Sequence, residues 1–174
     1  MKKITLLLLF ITAICNAQNK TEKDVFDTAR YGTLAEMQKI EAADKGRIDA
    51  ISPMGFSTLI LACYRGNTEV AEYLAKNVKN INYVSNSGTA LAAVAVKGDT
   101  KMAKVLLEND ADPNIADRAG TTPIIYAIQF ENKALVKLLL EHGASRTKPD
   151  NDGKTPVDHA EFTNNQEIIN LLKN

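Results

Sequence analysis

The residue types that most often perform catalysis or bind metals are sparse in this chain. It contains two cysteines, Cys15 and Cys63, and two histidines, His142 and His159. A structural zinc site requires about four closely spaced Cys or His ligands, and a nucleophilic cysteine requires a neighbouring base. Neither arrangement occurs in the sequence. We therefore expect Cys63 to be a buried core thiol and both histidines to have structural or surface roles.

Three aspartates, Asp110, Asp112 and Asp117, lie close enough in sequence to suggest a calcium site. They lack the tight alternating spacing of a calcium-binding loop, and Asp117 is better suited to cap a hairpin turn through its side chain. The glycines are spread along the chain and form no phosphate-binding cluster before a helix. The sequence thus predicts no catalytic residue, no metal site and no cofactor.

The overall composition is that of an ordinary globular protein. The 174 residues include 21 Lys and Arg against 21 Asp and Glu, and 45% of the residues are hydrophobic. So large an apolar fraction argues against a disordered chain. Because basic residues are not in excess, binding of nucleic acid through bulk charge is not expected either.

The first 17 residues have the pattern of a secretory signal peptide. Lys2 and Lys3 form a short positive region, residues 4–14 are almost entirely apolar, and small residues precede a predicted cleavage after Ala17. A membrane anchor is the main alternative, but the apolar run falls short of the ~20 residues that span a bilayer. A lipoprotein signal at Cys15 is a further alternative, disfavoured by the bulky residue before it. We predict an exported protein, periplasmic or secreted.

Cleavage after Ala17 would change the numbers of charged residues and of cysteines in the chain. The mature chain would keep 19 basic and 21 acidic residues and a single cysteine, Cys63. An intramolecular disulfide would then be impossible, and a lone thiol in an oxidising compartment is best tolerated when it is buried.

Internal repetition is the main signal in the rest of the chain. The pairs Thr122-Pro123 and Thr155-Pro156 lie 33 residues apart, and degraded forms of the same segment occur at Thr89-Ala90 and Ser57-Thr58. A period of this length predicts an array of stacked structural repeats.

Each unit reads as two short helices and an extended loop. In one repeat, Thr122 is predicted to cap the inner helix with its side chain, and Pro123 suits the first helical position. The outer helix over 133–142 carries a leucine-rich stripe, and Gly143 is placed to end it in a left-handed conformation. Helix pairs this short cannot bury their apolar faces alone, so neighbours must stack into a solenoid.

These segments resemble ankyrin repeats, whose signature includes T-P-L-H-x-A on a 33-residue period. The matching segments are Thr122–Ala127, Leu138–Ala144 and Asp110–Asn114. The resemblance implies a mainly α-helical ankyrin-repeat solenoid of about five helix–turn–helix repeats with β-hairpin-like loops, in a single domain over 18–174. We place the repeats near 21–50, 51–84, 85–117, 118–150 and 151–174. The outer helices of the first and last repeats are polar, as terminal caps require.

The resemblance also implies a protein partner, bound on a concave groove formed by hairpin tips and by exposed residues of the inner helices. Five of the nine aromatic residues after the predicted cleavage fall at such positions, with basic residues between them. Aromatic residues and arginine are enriched at interface hot spots. Carried over by position, the predicted partner-binding residues are Arg30, Tyr31, Met54, Phe56, Tyr64, Arg65, Lys97, Arg118, Gln129, Phe130 and Lys154.

An alternative is that the aromatic rings pack between inner helices and complete the core. For Tyr31, Tyr64 and Phe130 both interpretations stay open, whereas Phe162, near the terminal cap, is expected to belong to the core. The sequence predicts a monomeric, non-enzymatic protein that binds neither nucleic acid nor, after cleavage, the membrane. An immunity or inhibitor role is one hypothesis for it; an accessory or structural envelope protein that supports a periplasmic stress-defence enzyme is another.

Overall fold

The structure is a computed structural model, and it describes residues 24–173. The predicted signal peptide therefore lies outside the described residues. Ten α-helices and one short 3₁₀ turn, Arg47–Asp49, form within this range. In chain order the helices are α1 Val25–Tyr31, α2 Leu34–Ala43, α3 Thr58–Arg65, α4 Thr68–Asn77, α5 Ala90–Lys97, α6 Thr100–Glu108, α7 Pro123–Gln129, α8 Lys133–Glu141, α9 Pro156–Thr163 and α10 Gln166–Lys173.

The helices pair into two layers. Odd-numbered helices are the inner ones, and each packs against its odd-numbered neighbours; the even-numbered outer helices pack in the same way. The core runs between the layers and contains fully buried side chains such as Leu91, Leu106 and Leu139. Within residues 24–173, no helix has the length and apolar content needed to cross a bilayer.

The loops between helix pairs turn back as hairpins, but they contain little regular strand. Isolated antiparallel bridges join Ile51 to Ser57 and Ser85 to Gly88. Further along, the backbone N–H of Asn151 donates to the carbonyl of Ala119 at 3.0 Å, which joins two successive hairpin tips. These two tips are therefore joined into one edge beside the inner helices.

Side chains cap three of the five inner helices described, α3, α5 and α9. The side chains of Ser57, Thr89 and Thr155 each accept a hydrogen bond from the first turn of their helices. The Thr122 hydroxyl is buried without a hydrogen-bond partner among the described residues, so its predicted side-chain cap is wrong. Thr155 is held further by Asp158, which binds it reciprocally. Ser57 and Thr89 cap their helices although Ile60 and Ala92 stand at that place, so Ile125 at the matching place does not explain the missing cap of Thr122.

Asparagine side chains connect neighbouring repeats. Asn67, which precedes α4, donates from Nδ2 to the carbonyl of Gly32 at 2.9 Å, and Asn132, which precedes α8, donates to the carbonyl of Gly98 at 3.2 Å. Asp99 has the corresponding place before α6, where its Oδ1 accepts from the N–H of Met102. A carboxylate has no N–H to donate, so this repeat lacks the equivalent connection.

We expect Asp99→Asn to stabilise the protein slightly. The new amide would gain one hydrogen bond across the repeat interface, which contributes about 0.5–1.5 kcal/mol, and Asn caps a helix about as well as Asp. Loss of the carboxylate at the N-terminus of α6 offsets about 0.3–1 kcal/mol of that gain. Urea unfolding should therefore show a small rise in the free energy of unfolding. The reverse change, Asn132→Asp, should lower it, and a fall with both variants would contradict this account.

Candidate functional site

The exposed aromatic residues lie at the ends of the inner helices. Tyr31 is 65% exposed, Tyr64 50% and Phe130 58%. The interpretation in which these rings complete the core is therefore wrong. It is also wrong for Phe162, which is 90% exposed. Phe162 lies one repeat period after Gln129, at a position that faces solvent in the groove and does not point between the two helical layers.

Two cations stack on two of these rings. The guanidinium carbon of Arg65 lies 5.3 Å from the centroid of the Tyr31 ring, and Nζ of Lys97 lies 5.0 Å from that of Tyr64. In both pairs the cation belongs to the repeat that follows the ring. Each contact contributes about 0.5–1 kcal/mol at an exposed site, so each favours the observed orientation of its ring along the groove.

We call Tyr31, Arg65, Tyr64 and Lys97 the ladder. A cleft of about 440 Å³ opens beside it. The inner-helix position at the base of the groove is Leu61 in α3, Ala93 in α5, Tyr126 in α7 and His159 in α9. Because the alanine is much smaller than its neighbours on either side, it leaves a hollow between them. The residues that line this cleft are Arg30, Met54, Phe56, Ile60, Leu61, Tyr64, Arg65, Ser87, Ala93, Val96 and Tyr126.

Five of the eleven predicted site residues meet at this cleft. They are Arg30, Met54, Phe56, Tyr64 and Arg65. Met54 is 73% exposed on its hairpin tip, whereas Phe56 is only half-buried and packs partly against the core.

The remaining predicted residues are dispersed. Gln129 and Lys154 line a second, more polar cleft of about 710 Å³ between the last two repeats. Tyr31 and Lys97 line neither cleft, but they stack on Arg65 and Tyr64, which line the first one. Arg118 and Phe130 are exposed and line neither cleft.

Sequence reasoning missed a repeated hydrogen bond in the groove. The hydroxyl of Tyr126 donates to Oδ2 of Asp117 at 2.6 Å, and Nε2 of His159 lies 2.7 Å from Oδ2 of Asp150. In each case the partners are nine residues apart and the two pairs are one 33-residue period apart, a spacing that could have revealed them. Burial, together with the bond to Asp117, raises the pKa of Tyr126 to about 12.

Asp117 and Asp150 also cap the hairpin turns, as predicted for Asp117. Oδ1 of Asp117 accepts from the backbone N–H groups of Ala119 and Thr121. Oδ1 of Asp150 accepts likewise from the N–H groups of Asp152 and Lys154. The amide of Lys154 and then the hydrogen bond with His159 lower the pKa of Asp150.

The Asp150 carboxylate should make stability sensitive to acid. Its folded-state pKa lies below the usual 3.8, so the stabilisation is present above pH ~4 and is lost as the pH falls through the folded-state value. We expect the thermal midpoint of Asp150→Asn to fall less than that of the wild type between pH 5 and pH 2.5, in absolute terms. Asp152→Asn, which removes a carboxylate from the same loop, is the control. Equal acid sensitivity of all three proteins would contradict the assignment.

The groups with the strongest potential for chemistry are occupied or buried. The Thr155 hydroxyl donates to Asp158 at 2.6 Å, so it is not aligned with His159 as a nucleophile would be. Cys63 is 3% exposed, as predicted for a core thiol, and burial followed by the nearby charge of Asp99 raises its pKa. Such a thiol is unreactive. Within residues 24–173, no group of three or more His, Cys, Asp and Glu side chains converges as a metal site would require.

A sequence model described as ankyrin repeats in three copies matches residues 26–117 and 95–174. The chain belongs to the ankyrin-repeat family. The ankyrin fold inferred from the sequence, a mainly helical solenoid, is thereby confirmed together with its stacked helix pairs. A comparison of this ankyrin-repeat chain with curated proteins gave no match. Ankyrin repeats are generic protein–protein interaction modules, which agrees with an exposed row of rings and cations on the inner helices.

Proposed function

We propose that this protein is exported and acts without catalysis, by binding a partner protein along the concave groove. The observation that carries the proposal is the ladder of Tyr31, Arg65, Tyr64 and Lys97, in which exposed rings are held by cations from the next repeat. Rings whose orientation is favoured before binding lose less conformational freedom when a partner arrives, so more of the contact energy appears as affinity.

The stacked repeats support the same proposal. Successive inner helices and hairpin tips are joined by hydrogen bonds between repeats, such as those of Asn67 and Asn151. A pre-organised surface of this kind suits recognition of a folded or extended protein better than turnover of a small substrate. We also propose that the protein is a monomer, with one groove per molecule.

The test is affinity capture from a periplasmic extract of the source cells. Wild-type protein should retain a specific partner, and N-terminal sequencing of the material recovered from the cells should begin at Gln18. If a variant that lacks the groove rings retained the partner as well as the wild type does, the partner would not bind in the groove. If the protein were recovered from the cytosol with residues 1–17 still attached, the proposal that it is exported would be wrong.

Within this function we favour an immunity or inhibitor role over general scaffolding. The favouring observation is that, among the described residues, the ladder and both clefts are lined by inner helices and their hairpin tips, so that one partner on one face could cover them. Deletion of the gene should then sensitise cells to the product of an adjacent gene. Unchanged sensitivity, with two partners crosslinked to separate surfaces, would favour an accessory or bridging protein of the envelope.

A further inference from the structure

Charge is unevenly distributed along the concave groove. The three central inner helices, α3, α5 and α7, carry the cations Arg65 and Lys97 and no Asp or Glu. Arg118 adds a third cation at the adjoining hairpin tip. The whole chain has equal numbers of acidic and basic residues, so this part of the surface is selectively positive.

These cations have no carboxylate partner within the described residues. The ion pairs found over 24–173 involve other side chains, including outer-helix pairs such as Lys104–Glu108 and Lys137–Glu141. By contrast, Arg30 at the edge of the cleft is already paired with Asp27 at 3.2 Å. The groove therefore offers positive charge to an incoming ligand in addition to an apolar hollow.

We propose that the cleft over Ala93 receives one aliphatic or aromatic side chain from an extended acidic segment of a partner protein. The carboxylates that flank this anchor meet Arg65, Lys97 and Arg118. The inference rests on the proposed function, because it takes the partner to be a protein bound in the groove. It adds the chemistry of the bound segment and the place of its anchor.

The shape of the cleft supports a single anchor. The floor is Ala93, which is 8% exposed, and the walls are the apolar faces of Leu61, Tyr64 and Val96. A volume of about 440 Å³ accommodates one large side chain and part of its backbone. Complementary charges around an apolar anchor are how interfaces combine fast, selective association with affinity.

The carboxylate bonded to the cleft residue Tyr126 does not oppose such a ligand strongly. Asp117 binds the hydroxyl of Tyr126 and two backbone N–H groups of its own turn. Its charge is thereby directed to donors within the protein. An acidic segment seated over Ala93 would meet Arg65 in the lining of the cleft, and its flanking residues would reach Lys97 and Arg118 outside it.

The experiment is selection of a displayed random-peptide library on the purified full-length protein, followed by binding measurements on the enriched peptides. We expect enrichment of sequences with Asp or Glu within two residues of a Leu, Ile or Phe. Two changes should each weaken binding by at least about tenfold: Ala93→Leu, which fills the hollow with the residue of the preceding repeat, and Arg65→Glu with Lys97→Glu. Affinity should also fall as salt rises from about 50 to 500 mM.

Matched controls separate the site from general effects. Ala134→Leu adds the same bulk on exposed α8, and Lys76→Glu with Lys101→Glu reverses the same charge on outer helices; neither should alter binding. Peptides without acidic enrichment, an unaffected affinity with Ala93→Leu, or preferential binding of single-stranded oligonucleotides would overturn the inference. The charge variant keeps the test decisive if Ala93→Leu fails to fold.

Capture of the native partner by the same variants distinguishes failure of this inference from failure of the proposed function. If Ala93→Leu still captures the partner while Phe130→Ala with Tyr31→Ala does not, the protein binds in the groove but the acidic-segment inference is wrong. If all these variants capture it normally, both proposals are wrong.

Discussion

Replacing Tyr64 and Phe130 together by alanine is expected to reduce partner capture by at least about a hundredfold. Truncation of a single hot-spot ring costs about 2 kcal/mol or more of binding free energy, and each 1.4 kcal/mol is about a factor of ten. Because both rings are at least half exposed, the same change should lower the free energy of unfolding by no more than about 1 kcal/mol, mainly through loss of the contact between Lys97 and Tyr64.

The measurement combines quantitative affinity capture with thermal unfolding of the same samples. Ile51→Ala with Val84→Ala is the matched control, because both residues are exposed and apolar yet lie outside the predicted site. Capture should be normal with the control. A large loss of stability in the Tyr64→Ala, Phe130→Ala variant would instead mean that the rings support the core, and an unchanged capture would exclude them from the interface.

The largest effect on stability is expected from Leu106→Ala. Leu106 is fully buried in α6, the central outer helix, which packs against α5 and against both neighbouring outer helices, α4 and α8. Removal of a buried leucine leaves a cavity and costs about 2–5 kcal/mol. In a repeat array, stability depends on contacts between nearest neighbours, so a cavity at the centre weakens two interfaces at once.

Urea unfolding followed by circular dichroism should show a much lower midpoint for Leu106→Ala. Leu138→Ala is the control, since Leu138 is only partly buried on α8 and its loss should cost distinctly less. Equal midpoints for the two variants would show that the centre of the array is no more tightly packed than its surface.

The periodicity of the sequence was sufficient to predict the helical array. The Thr-Pro pairs and their degraded forms indicate where four of the inner helices begin, and the apolar stripes identify the outer helices after the first repeat. The positions at the ends of the inner helices follow from the same register. The register could not decide between surface and core for Tyr31, Tyr64 and Phe130, because a ring at the end of an inner helix can point either way; their exposure in the structure decides it.

The cleft could not be predicted in the same way. It results from the difference in side-chain volume between Ala93 and its counterparts Leu61 and Tyr126, which are distant in sequence and adjacent only after stacking. The missing cap at Thr122 has no explanation in the residue three positions later, because Ser57 and Thr89 cap their helices with Ile60 and Ala92 at that place. Phe162 was misplaced because its proximity to the terminal cap was given more weight than its register.

The recurring base position of the groove has a consequence for how such a surface changes over evolutionary time. Leu61, Ala93, Tyr126 and His159 occupy one register position in four consecutive repeats, and adjacent packed helices are about 8–10 Å apart. If Ala93 and the larger residue at this position in a neighbouring repeat were exchanged, the cleft would move by one helix spacing and the helical array would stay the same. Two point mutations could therefore move the binding cleft from one repeat to the next.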